Sequence, residues 1–107
     1  MVEYTIPLDT VFASLAHPTR RDILQRLRDK ELTINEVAAP YSISLAAVSK
    51  HINLLQKAHL VIKRIQGKTH YVVLEPTAMK QAIGYLQQYE ATWNQRLDKL
   101  EQLLQDE

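Results

Sequence analysis

A chain of 107 residues, 46% hydrophobic and 23% charged, has the length and balance of one globular domain and little more. It holds no cysteine, which excludes disulfides, thiolate metal sites and thiol redox chemistry. No apolar run approaches the ~18 residues of a membrane span, and the opening MVEYTIPLDT lacks the basic start and apolar stretch of a secretion signal, so a soluble, cytoplasmic protein is expected. The net charge of +1 conceals a partition. Between His17 and His70 ten Lys/Arg stand against four acids, whereas residues 1–16 carry two acids and no base, and residues 71–107 carry six acids and three bases. A basic middle between acidic ends suits a surface that meets a polyanion.

The chain opens with a helix that Asp9 is placed to cap, with Val11, Phe12 and Leu15 on one face. Pro18 suits the first turn of a second helix, where its missing N–H has no partner to lose. That helix buries Ile23, Leu24 and Leu27 and turns Arg20, Arg21, Arg26 and Arg28 to solvent or a partner. Thr33 and Glu36 have the spacing of a capping box, so a short third helix starts there and ends near Pro40. Ser44 caps a fourth helix over roughly residues 45–58, and the turn Tyr41-Ser42-Ile43 makes residues 33–58 a helix-turn-helix. The runs LVIKRIQ and THYVVLE form a hairpin over residues 60–74, with Gly67 supplying the positive φ of its tight turn. After Pro76 the pattern is helical to about Leu104, a rod of roughly 40 Å at 1.5 Å per residue. The fold expected is mainly α with a small β-hairpin, a single winged helix-turn-helix domain over residues 1–107.

On the fourth helix Val48, Ile52, Leu55 and Ala58 form the stripe that packs on the domain. The opposite side carries Ala46, Ser49, Lys50, Asn53 and Lys57. Its start is small and nearly uncharged, which suits base edges and thymine methyls in a major groove, while the free N–H groups behind Ser44 favour an anion. The hairpin then supplies Lys63, Arg64, Lys68, Thr69 and His70, cations and donors for phosphate oxygens.

LAHPTRRDILQRL (15–27) and SLAAVSKHINLLQKAHLVIKRIQGKTHYVVL (44–74) resemble the arsenic-repressor (ArsR/SmtB) family of winged helix-turn-helix regulators. The family's Val-Ser-basic-His-Leu signature appears as Val48-Ser49-Lys50-His51-Ile52, and its Ala-Gly-Leu-Val as Ala58-His59-Leu60-Val61, with Gly67 at the wing tip. The resemblance implies a homodimer that binds a near-palindromic operator in double-stranded DNA and represses until an inducer releases it. It places residues 44–58 as the recognition helix and 60–74 as the wing. It implies DNA contact by Ser44, Leu45, Ala46, Ser49, Lys50 and Asn53, and phosphate contact by Arg64, Lys68 and Thr69. Many members have Gln and Ser where this chain has Leu45 and Ala46, which points readout toward thymine methyls and shape.

The last helix bears Leu86, Trp93, Leu97, Leu100 and Leu104, with Tyr89 in the first gap, close to a heptad seam. Leu8, Val11, Phe12 and Leu15 add apolar surface, so residues 1–16 and 77–107 are expected to form a two-fold interface, as the resemblance also implies. Gly84 inside this helix costs about 1 kcal/mol relative to alanine, and close backbone approach near a dimer axis is one reason to keep it.

Metal-sensing relatives carry ligand pairs on the third or the last helix. Here TINEVAAP offers none, the last helix has no His, and no metal site or other cofactor is expected. His51, His59 and His70 match no metal spacing; His17 reads as a helix start, and His59 as a helix end able to take positive φ. No Gly-rich phosphate loop or nucleophile–base pair suggests an enzyme. Two competing readings are a metal-responsive repressor with a non-standard His/carboxylate site and a winged-helix module that docks protein. A small apolar inducer between the tyrosines and Trp93 is a further expectation.

Overall fold

The computed structural model describes residues 6–106; residues 1–5 of the expected N-terminal dimerisation segment, and residue 107 of the C-terminal one, lie outside the described residues. Five helices and three strands follow in the order α1 (Leu8–Leu15), α2 (Pro18–Leu27), β1 (Leu32–Thr33), α3 (Ile34–Ala38), α4 (Leu45–Lys57), β2 (Val61–Gln66), β3 (Thr69–Leu74) and α5 (Pro76–Gln105). The fold is mostly helical with a small antiparallel sheet. That sheet has three strands rather than the two of the expected hairpin: β1 pairs with β3, Leu32 opposite Val72 and Thr33 opposite Tyr71, in the order β1-β3-β2.

Local chemistry sets most of the boundaries. α1 begins behind Pro7 with no side-chain cap, so Asp9, expected to cap it, lies inside the first turn. There its carboxylate still meets the positive end of the helix dipole. His17 caps α2, its Nδ1 accepting from the Thr19 amide at 3.2 Å, with Pro18 in the first turn. Thr33 and Glu36 close the capping box of α3 from both sides. Ser44 Oγ accepts from the Ala47 amide at 3.1 Å to start α4. α4 stops where His59 turns left-handed at φ 57°, the Leu60 amide reaching back to the Leu55 carbonyl and the His59 amide to that of Gln56, both at 3.0 Å. This is the Schellman ending, made here without glycine. In the hairpin, Gly67 takes φ 61°.

The core gathers Val48, Ile52, Leu55 and Ala58 from α4 with Ile23, Leu27, Val37, Leu60, Val61 and Val72. Val11 joins them at 0% exposure. Its expected place in a dimer interface is therefore corrected: the helix turn that carries Val11 faces its own subunit. Leu8, Phe12 and Leu15 pack half-buried on the same core.

Three of the four arginines expected to face outward are tied down. Arg20 donates to the Ser14 and Ala13 carbonyls at 2.7 and 3.2 Å, and Arg21 to the Leu15 carbonyl at 2.8 Å. Arg26 donates to the Val37 and Glu36 carbonyls at 2.8 and 2.7 Å. Most of these carbonyls end a helix and have no acceptor role within it, and a guanidinium fork suits them. Arg28 stays outside, 3.8 Å from Asp29.

α5 lies on the domain only through its first turns. Ala78 and Ala82 are buried, Tyr85 packs on Phe12 and Tyr89 with ring centroids 6.0 and 5.3 Å apart, and Gln81 bonds to the backbone of Ile6. From Leu86 to Asp106 every residue is exposed. The radius of gyration, 18.5 Å, exceeds the ~13 Å of a compact domain of this length because this rod projects.

Candidate nucleic-acid interface

The stripe that buries Val48, Ile52 and Leu55 fixes which side of α4 looks outward. That side carries Leu45 (52% exposed), Ala46, Lys50 and Asn53, with Ser49 half-buried beside them. A groove of about 430 Å³ separates α4 from the wing and is lined by Leu45, Ser49, Lys68, Thr69 and His70, with Asn35 of α3. Four residues expected from sequence at the interface therefore meet in one concavity. His70, read from the sequence as a further wing donor for phosphate, joins them, on the same side of β3 as Val72; so does Asn35, which the sequence did not single out for DNA contact.

Beyond the core packing of Val61 against α4, a side-chain hydrogen bond joins the wing to that helix: Lys63 Nζ donates to Asn53 Oδ1 at 2.6 Å. Alternation along β2 puts Ile65 on the same side as Lys63, nearer the tip, and leaves it 64% exposed. Arg64 points the other way. Its guanidinium pairs with Glu31, bonds Gln66 at 3.0 Å and lies 4.6 Å over the Tyr71 ring. Arg64, expected from the sequence to contact phosphate, braces the back of the sheet with its side chain still 41% exposed. Among the described residues neither Lys50 nor Lys68 forms an ion pair, so both charges face outward uncompensated.

Behind this face, the His51 and His17 rings meet at a tilt of 53°, centroids 4.6 Å apart. Arg20 Nη1 lies 3.3 Å from His51 Nδ1. A guanidinium only donates, so Nδ1 accepts and the imidazole is neutral. Burial lowers the His51 pKa, and the nearby His17, Arg20 and Lys50 lower it further. His51 is thus a packing residue tying α4 to α2. Among the described residues no three His, Asp or Glu gather closely enough to share a metal ion, so His51, His59 and His70 do not converge. No helix among them is long and apolar enough to cross a membrane.

Residues 15–64 match the family described as a helix-turn-helix domain. The chain is 33% identical over 107 residues to the HTH-type transcriptional regulator Rv2034 of Mycobacterium tuberculosis (strain ATCC 25618 / H37Rv), covering 100% of this chain and 96% of that one. Its fold superposes on the crystal structure of the ArsR family transcriptional regulator RHA00566 with a TM-score of 0.77 at 29% identity, covering 88% of this chain and 97% of the other. This chain belongs to the ArsR family. It is also 29% identical over 79 residues to the transcriptional repressor SdpR of Bacillus subtilis (strain 168), 74% of this chain and 88% of that protein. ArsR-family proteins are DNA-binding transcriptional regulators.

Proposed function

We propose that the protein is a homodimeric, sequence-specific repressor of transcription that places α4 in the major groove and the wing on phosphates, without a metal switch. The observation that carries this reading is the uncovered outer face of α4, flanked by the uncompensated Lys50 and Lys68 and opening on the α4–wing groove. Leu45, Ala46, Ser49, Lys50 and Asn53 then face base edges; Lys68 and Thr69, with the start of α4 at Ser44, hold the backbone. Dimerisation is supported by α5, whose apolar row Leu86, Tyr89, Trp93, Leu97, Leu100 and Leu104 is about half to two-thirds exposed. Exposed apolar surface of this extent on a soluble domain marks an interface. Leu8, Phe12 and Leu15 adjoin it from α1, without Val11. The repressor role rests on the likeness to SdpR.

The test is fluorescence anisotropy on duplex DNA at a series of salt concentrations. Affinity should fall steeply with salt, and Lys50→Ala with Lys68→Ala should weaken binding and flatten the log–log slope by about 0.9 for the phosphate that Lys68 no longer neutralises. A salt-independent titration, or a double variant with an unchanged slope, would overturn the reading.

A further inference from the structure

The groove-facing half of α4 has an unusual chemical bias. Ile43, Leu45 and Ala46 are all exposed where the helix begins, and Ser44 among them turns its oxygen back to the Ala47 amide. The first turn therefore offers a duplex chiefly methyl and methylene groups. One and two turns on come Ser49, Lys50 and Asn53. Lys50 can only donate. Asn53 would ordinarily offer both a donor and an acceptor, the pair that matches adenine's N7 and N6 amino group. Here the Lys63 ammonium, which has no acceptor capacity, takes the amide oxygen at 2.6 Å. That bond takes one of the oxygen's two lone pairs and holds it toward the wing, which leaves the amide N–H groups as the side turned to the groove.

From this geometry we infer that the half-site is specified by thymine methyl groups beneath Leu45 and Ala46 and by the acceptor-rich edge of guanine beneath Lys50 and Asn53, with Lys63 as the positioning residue that denies Asn53 to adenine. The inference rests on the proposed placement of α4 in the major groove and adds which base features it reads. Thymine is the base that presents a methyl in that groove, and guanine presents two acceptors and no donor there. Leu45 and Ala46 cannot discriminate by hydrogen bonding; contact with a methyl group is the selectivity open to them. Lys63 sits on β2, so the wing sets the chemistry of the recognition helix as well as lying beside it.

The experiment starts from duplexes selected by the wild-type protein out of a random pool. Each thymine of the half-site is then replaced by deoxyuridine, which removes the methyl and keeps the pairing. Binding should weaken about fourfold for each methyl that meets Leu45 or Ala46. Leu45→Gln should bind the thymine and deoxyuridine duplexes alike at the position beneath residue 45, because the side chain that felt that methyl is gone, and should keep the preference at the position beneath Ala46. Selection repeated with Lys63→Met should enrich adenine at the pair beneath Asn53, where wild type excludes it. Equal affinity of wild type for thymine and deoxyuridine duplexes would overturn the inference while leaving DNA binding intact, as would adenine at the Asn53 pair in wild-type selections. Failure to select any duplex would remove the proposed function, and this inference with it.

Discussion

His51 shows how a single side chain ties stability to pH. Its neutral ring accepts from Arg20 and lies against His17, and burial together with these charges lowers its pKa from the usual 6.5. The unfolded chain binds a proton more readily than the folded one between the folded pKa and 6.5. The contribution of His51 is therefore fully present above pH 6.5 and declines as the pH falls through that value toward the folded pKa. Urea denaturation at pH 7.5 and near pH 5.5 should show this loss in the wild type, and His51→Gln should reduce the difference between the two; an undiminished difference would remove His51 as its source. None of this was visible in the sequence. His17 and His51 are far apart along the chain and meet only because α2 packs on α4. Arg64 makes the same point: read alone it is a cation on a wing, and only the added strand β1, with Glu31 just before it, reveals that the charge is already engaged.

At the level of elements, features set by neighbours in sequence were legible and those set by distant partners were not. The Thr33–Glu36 box, the Ser44 cap, Pro18 in the first turn, and positive φ at His59 and Gly67 all follow from a few consecutive residues. β1 is two residues long and exists because β3 lies alongside, so no local pattern announces it. The orientation of α1 likewise needed the packed core, since Val11 and Phe12 read as equally apolar and only one is enclosed. α5 is the opposite case, its seam plain in the sequence and uncovered in the subunit. Leu97 and Leu100 are 55% and 53% exposed, so replacing both with Asp should leave the folded subunit intact by circular dichroism. Sedimentation should then show a dimer for the wild type and a monomer for the double variant, and operator affinity should drop at least tenfold because only one half-site is engaged. A dimer that survives the double change would place the interface elsewhere. Gly84 has no neighbour within 4 Å of a built Cβ, so nothing in its own subunit requires glycine there.

For the whole molecule the proposed two-fold arrangement makes a geometric demand. Two copies of α4 must enter successive major grooves about 34 Å apart, one turn of the duplex. Inserting about 5 base pairs between the half-sites rotates them onto opposite faces and should abolish high-affinity binding, whereas about 10 should recover part of it. Footprinting on these spacer variants gives the answer, and indifference to spacing would mean that one subunit binds alone. The charge partition along the chain anticipated this layout: the segment from His17 to His70 holds the basic residues and also α4 and the wing, while acidic α5 projects from the domain. What charge counting could not supply was which cations are free, because Arg20, Arg21 and Arg26 look the same in a sequence as Lys50 and Lys68.

The grip of Arg20 has a mechanical consequence. One flat cation clasps the tail of α1 with two bonds and the middle of α4 with a third. A tilt of α1 is then conveyed to α4 as through a rigid hinge pin. Arg20→Ala would uncouple the two, leaving the tail of α1 and the middle of α4 joined through apolar packing alone.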